Sequence, residues 1–171
     1  MSDTLSAPFV IERTLRAPRP LVYAALTQEE HLRHWMSPAG MQMVHSQLDA
    51  RVGGVFHYAL KPVGMPMAPA MWGKWTFREL HPVDRVVVVV EFSNAEGEVT
   101  RHPMAPQWPL HTLSTTTLSE VEGGTLVQLE WRALNANDTE TALFNASHAS
   151  MAMGWTGTFG LLEQYLAQQP R

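Results

Sequence analysis

The chain has 171 residues, with 12 Lys plus Arg against 16 Asp plus Glu, a formal net charge of -4 at pH 7, and no cysteine. That length fits one domain burying roughly two-thirds of the surface its unfolded chain exposes. Mild acidity without any block of like charge argues against a nucleic-acid partner, and the missing cysteines exclude disulfides and thiolate chemistry. The opening stretch MSDTLSAPFV has no basic segment followed by an apolar run. No later stretch offers the roughly eighteen uninterrupted apolar residues a membrane helix needs. A soluble, cytoplasmic protein with no membrane span is therefore expected.

From Phe9 to Arg16 apolar and polar residues alternate, which predicts a strand, and Ala17-Pro18-Arg19-Pro20 ends it, because proline fixes φ and removes a backbone donor. With Pro20 in its first turn, Leu21 to Leu26 reads as a short helix, and Glu29 to Trp35 as a second. Met41 to Asp49 and Val55 to Lys61 alternate on either side of Arg51-Val52-Gly53-Gly54, the pattern of a hairpin. Pro62 to Pro69 holds three prolines and predicts an irregular, partly apolar loop able to act as a flap. Further strands are expected at Met71–Leu80, Arg85–Ser93, Leu110–Ser119 and Thr125–Leu134. The run Val86 to Val90 is apolar on both faces, as in a central, doubly covered strand. Between them, Asn94 to Pro109 forms a long proline-punctuated connection of the kind that often carries function.

The last element has the clearest helical pattern: Phe144, His148, Met151, Trp155, Phe159, Leu162 and Leu166 recur at steps of three and four over about six turns. Asn137 with Glu140 three residues on reads as a capping box, and Pro170 marks the end. The order of strand, two short helices, about six strands and a long helix predicts an α+β fold.

Several short motifs, in this order, resemble a known family. They are Ala17-Pro18 leading into Val22-Tyr23-Ala24-Ala25-Leu26, Trp35 with Pro38-Ala39-Gly40, and Asp49-Ala50-Arg51-Val52-Gly53-Gly54. Gly73-Lys74-Trp75, Glu79 ahead of Pro82, Glu122-Gly123-Gly124-Thr125 and Met153-Gly154-Trp155 continue them. Together they resemble the helix-grip (START-like, SRPBCC) superfamily, and within it the homologues of the Aha-type activator of the heat-shock-chaperone ATPase. The resemblance implies one helix-grip domain over residues 8–168: a curved antiparallel sheet of about six to seven strands around the C-terminal helix, with a deep cavity between them. Members of the superfamily hold lipids, hormones, polyketides or other apolar molecules there, and include carriers, receptors and cyclases, so activity does not follow from fold.

Within that frame, the residues expected to hold a small apolar or aromatic ligand are Trp35, Met43, Phe56, Tyr58, Trp72, Trp75, His148, Met151, Trp155 and Phe159. The aromatic rings fill cores as readily as pockets, but they are accompanied by ten methionines and a single isoleucine, Ile11, and methionine makes adaptable surfaces. His148, on the face of Met151 and Trp155, is read either as a polar anchor for ligand or as a core histidine bonded internally. The cavity is expected near the Met41–Lys61 hairpin and the Met71–Leu80 strand, with the Pro62–Pro69 loop at its mouth. Asp49, Arg51 and the glycines beside them read as turn chemistry.

Eight histidines lack the spacing of a zinc motif, His31 and His34 included, so no metal is expected. No phosphate-binding glycine loop or other cofactor motif is present, and no nucleophile stands beside a base. Candidates for acid–base catalysis are Glu79, Glu12 and His148. Three readings stay open: a small-molecule binding domain, a cyclase- or hydrolase-type enzyme using the same cavity, and a protein-interaction module related to chaperone ATPase activators. Self-association as a homodimer is allowed by all three.

Overall fold

Alternating side chains need a second layer to cover their apolar face, and among the described residues four helices supply it for one antiparallel sheet. The computed structural model of the chain describes residues 2–170. In chain order the elements are β1 (Phe9–Leu15), α1 (Arg19–Thr27), α2 (Glu29–Trp35), β2 (Met41–Leu48), β3 (Val55–Pro62), β4 (Met71–His81) and β5 (Arg85–Ser93). Then follow β6 (Val99–Thr100), β7 (His111–Val121), β8 (Gly124–Leu134), α3 (Asp138–Ala146) and α4 (His148–Ala167). The fold is α+β, an open antiparallel sheet with a long C-terminal helix. The sheet order is β1-β8-β7-β5-β4-β3-β2, with β6 a two-residue strand added to β5 inside the long connection after Ser93.

β1 and β2 lie at opposite edges, so α1 and α2 carry the chain from one edge to the other. Pro18 caps α1 and Pro20 sits in its first turn, where a missing N–H costs nothing. The Trp35 indole donates to the Ala25 carbonyl at 2.9 Å, fastening α2 to α1. Thr125 donates to the Ala17 carbonyl at 2.8 Å and fixes the start of the crossing against β8.

The β2–β3 reversal depends on its glycines. Gly53 has φ +82°, and a Cβ at Gly54 would stand 2.0 Å from the Asp49 carbonyl oxygen. Gly53 N–H then donates to the Phe77 carbonyl and Phe77 N–H to that of Gly54, at 2.8 and 3.0 Å. Asp49 and Arg51 pair with each other at 2.7 Å on the surface of this turn. In β4 the register slips between Phe77 and Glu79, so that Phe77 opposite Val88 and Leu80 opposite Val86 both face inward across a bulge.

The principal core gathers Leu15, Val22, Leu32, Phe56, Phe77, Val88, Leu118, Leu129, Phe159 and Leu162 between sheet and helices. A smaller cluster of Phe9, Ala133, Phe144 and Met151 closes the end near α3. Asn137 and Glu140 form the expected capping box. The C-terminal helical run is not continuous, however. It breaks at Ser147, where the hydroxyl bonds the Leu143 carbonyl at 2.7 Å and φ/ψ reach -93°/0°. A serine that bonds its own backbone competes with the helical ladder, and α3 and α4 are therefore separate helices. Among the described residues no helix is long and apolar enough to cross a membrane.

Candidate functional site

Between α4 and the sheet lies a cavity of about 210 Å³. Its floor is the inward row of the central strands: Val86, Val88 and Val90 from β5, Ser114 and Thr116 from β7, and Val127, Leu129 and Trp131 from β8. Because β-strand side chains alternate, these residues fall on one face, with Ser114 directly opposite Trp131 and Thr116 opposite Leu129. The roof is Trp155, Thr158, Phe159 and Leu162 at helical spacing on α4. The α1–α2 pair adds Val22, Leu26, Trp35 and Met36 at one side, and Tyr58 and Trp75 stand at the β3–β4 side.

Tyr58 reaches the cavity because its cross-strand partner is Gly73. A Cβ there would lie 2.7 Å from the Tyr58 ring and hydroxyl, so only glycine leaves the ring this path. The ring stacks on Phe56 at 5.0 Å, and Phe56 meets Trp75 edge-on at 5.3 Å. Burial pushes the Tyr58 hydroxyl up to about 12, against an opposing effect of its hydrogen bond with Trp75; Tyr58 is neutral across the physiological range. No lining residue is Asp, Glu, Lys, Arg or His. The cavity therefore offers hydroxyls, indole N–H groups and apolar surface, and no charge.

Five of the ten residues expected to hold ligand line this cavity: Trp35, Tyr58, Trp75, Trp155 and Phe159. Met43 packs into the principal core without lining it. Phe56 is fully buried behind Tyr58 and Trp75. Trp72 lies on the opposite face of β4, stacked on His57 at 5.0 Å and beside His45 at 5.2 Å. Met151 belongs to the smaller cluster. His148 is the first residue of α4, with its ring against Phe9 and Phe144 at 5.7 and 5.6 Å and its buried Nε2 without a hydrogen-bond partner among the described residues. Nor does any residue of the 62–69 connection line the cavity; its Val63, Met65 and Met67 are exposed.

The acid–base candidates are dispersed. Exposed Glu12 accepts from Gln128 at 2.8 Å, and Glu79 pairs with Arg85 at 3.2 Å and His81 at 3.4 Å. Neither these two nor His148 lines the cavity. His31 bonds Tyr165 at 2.6 Å and His34 stacks on the same ring. Among the described residues no group of three or more His, Asp or Glu side chains is placed to hold a metal ion.

Sequence reasoning missed the β5, β7 and β8 side of the cavity and a second hollow beside it. The latter, about 280 Å³, lies under the 101–110 connection and is lined by Phe92, His102, Trp108, Thr112 and, in common with the first, Val90 and Trp131. Burial lowers the proton affinity of His102, and its Nδ1 accepts from the backbone N–H of Met104 and Ala105 at 3.0 and 3.1 Å. Arg101 pairs with buried Glu140 of the α3 capping box and so ties this connection to α3.

Compared with known proteins, residues 16–167 match the family model described as activator of Hsp90 ATPase homolog 1-like protein. No curated protein sequence matches the chain. Among solved structures, a protein from Arthrobacter aurescens superposes with a TM-score of 0.75 at 16% identity, covering 98% of this chain and 93% of that one. One from Rhodobacter sphaeroides gives 0.74 at 18% identity, over 99% of this chain and 100% of its own. One from Chromobacterium violaceum gives 0.68 at 20% identity, over 95% and 98%. These likenesses concern the fold.

Proposed function

Since the chain belongs to the family of activator of Hsp90 ATPase homolog 1-like proteins, whose fold allows several functions, we propose from its own geometry that it is a binding domain for a small, apolar or aromatic molecule. The observation that carries this reading is the uncharged cavity between α4 and β5, β7 and β8. Apolar walls with a few convergent polar groups are the usual character of small-molecule sites. At about 210 Å³ the space lies between the roughly 150 Å³ that admits benzene and the 300 Å³ or more of drug-sized pockets. A ligand of about ten non-hydrogen atoms suits it. Trp35, Tyr58, Trp75, Trp155 and Phe159 are the residues proposed to contact it. The same geometry gives the cyclase or hydrolase reading no ionised acid or base in contact with such a ligand, since Glu12, Glu79 and His148 all stand outside the lining.

Calorimetric titration of the protein with indane, a neutral hydrocarbon of this size, tests the proposal alongside Val88→Phe. Val88 faces the cavity from the middle of β5 and is itself buried, so a phenyl group there occupies the ligand's space. Wild-type protein should bind, and the variant should lose at least about tenfold in affinity while keeping a native circular dichroism spectrum. Unchanged affinity in a folded Val88→Phe protein would place the site elsewhere.

A further inference from the structure

β5 and β7 are direct neighbours in the sheet, with Val90 opposite Thr112, and a two-residue turn suffices to join such antiparallel neighbours. Residues 94–110 join them instead. A connection of that length in a compact domain is usually functional, and this one roofs the hollow of about 280 Å³. Phe92 and Thr112 share the inward parity of Val90, so the hollow lies on the same face of the sheet as the cavity. The roof is tied down on both sides: Arg101 pairs with Glu140 of α3, and Lys74 donates to the Gly97 carbonyl at 3.0 Å.

The two spaces meet at Val90 and Trp131, which line both. Val87, Val88 and Val89 of the same strand are buried, whereas Val90 is only half-buried, as are Phe92, His102, Trp108 and Trp131. Four ring side chains thus keep accessible surface beneath a roof, where a close-packed core would have covered it. Trp131 is clamped by Trp108, Phe144 and Trp155 at 6.0, 5.7 and 6.3 Å, which leaves Val90 as the smaller and less encumbered part of the shared wall. His102 adds no charge to the hollow, because its Nδ1 serves as an acceptor and burial lowers its proton affinity. Glu91 also borders it, with its carboxylate bonded to His111 and 3.9 Å from Lys74.

We propose that the hollow under the 101–110 connection is a second subsite of the cavity, and that one elongated, apolar two-ring molecule of about fifteen to twenty non-hydrogen atoms fills both. One ring lies against Trp155 and Phe159, the other among Phe92, His102 and Trp108, and the linker passes Val90. Non-bonded carbon atoms keep about 3.5 to 4.0 Å apart, so a chain of several bonds, and not a single atom, carries the second ring past that side chain. The two volumes, about 210 and 280 Å³, together reach the range of drug-sized pockets. This deepens the ligand-binding reading and rests on it.

Propylbenzene, 1,3-diphenylpropane and 4-phenylbutanoate share one phenylpropyl unit and end in hydrogen, a second ring and a carboxylate. Titrated at pH 7 into the full chain, 1,3-diphenylpropane should bind at least about tenfold more tightly than propylbenzene, and 4-phenylbutanoate no more tightly than propylbenzene. Ala105 lines the hollow and not the cavity. Ala105→Trp should therefore erase the preference for the second ring while leaving propylbenzene affinity within about twofold, and Ala105→Ser, which leaves the space open, should retain it. A further readout needs no variant to fold well. In wild-type protein the ring protons of His102 should shift with 1,3-diphenylpropane and not with propylbenzene. Equal binding of the two hydrocarbons, a preference that survives in folded Ala105→Trp, unmoved His102 signals at saturation, or a gain from the carboxylate equal to that from the ring would each overturn this inference while leaving the ligand-binding reading intact. Binding of neither hydrocarbon would overturn both.

Discussion

Phe159 joins the core to the cavity, and truncating it should both destabilise the protein and enlarge the site. Its side chain is 4% exposed, lies 5.6 Å from the Trp155 ring, and lines the roof of the cavity. Phe159→Ala removes roughly 100 Å³ of ring, which at about 24 cal/mol per Å³ of unfilled space amounts to about 2.4 kcal/mol. With the lost transfer free energy of the ring, of order 2 kcal/mol, the expected cost is about 4 kcal/mol. For a chain of this length that lowers Tm by about 10 °C. Urea unfolding followed by circular dichroism measures the first figure, and a thermal melt checks the second. The cavity should meanwhile grow from about 210 Å³ towards roughly 300 Å³, so a larger neutral molecule such as benzophenone should bind the variant better than wild type. At a hundred times its Kd, benzophenone should restore about 2.7 kcal/mol. A stability loss below about 1 kcal/mol, or a variant that discriminates against benzophenone as wild type does, would refute this placement of Phe159.

Two other predictions follow from local chemistry. Tyr58 holds its proton up to about 12 in the folded protein but releases it near about 10 when unfolded. Its contribution to stability is thus complete below about pH 10 and is lost between about pH 10 and 12, amounting to about 2 to 3 kcal/mol. Urea melts at pH 9 and pH 11 should show a steeper decline for wild type than for Tyr58→Phe, and parallel declines would contradict the burial of that hydroxyl. Asn137→Ala removes one half of the α3 capping box and should cost about 1 kcal/mol, measured by urea unfolding; a change below about 0.3 kcal/mol would show that the cap contributes nothing.

Local pattern made much of this fold legible. The alternation in β1, β2 and β3, the doubly apolar Val86–Val90 run, the Gly53-Gly54 reversal and the Asn137–Glu140 cap each act within a few residues, so sequence reports them. The break at Ser147 was hidden, because a serine at a helical position is usually tolerated and its bond to the Leu143 carbonyl is one choice among several.

The site was half legible for a related reason. Parity along a strand was available and sorts Trp72 from Trp75: three residues apart in one strand, they face opposite sides, and His57 and His45 accompany Trp72 on the outer one. Which strands the helix roofs was not available. The cavity opens mainly over β5, β7 and β8, with Tyr58 of the β2–β3 hairpin and Trp75 of β4 only at its side, because the resting place of α4 depends on packing against β1 and α2, contacts separated by more than a hundred residues of chain. The same long-range packing holds Trp131 at the cavity wall, and it sets His148 between Phe9 and Phe144, away from the space it was expected to enter.

A crystal structure of the protein grown with saturating indane would show the occupied site itself. One ligand should lie inside the cavity, its ring among Trp35, Tyr58, Trp75, Trp155 and Phe159, with the lining side chains close to their present positions. Ligand density in the hollow under the 101–110 connection alone, on the outer face beside Trp72, or nowhere at saturating concentration would contradict it.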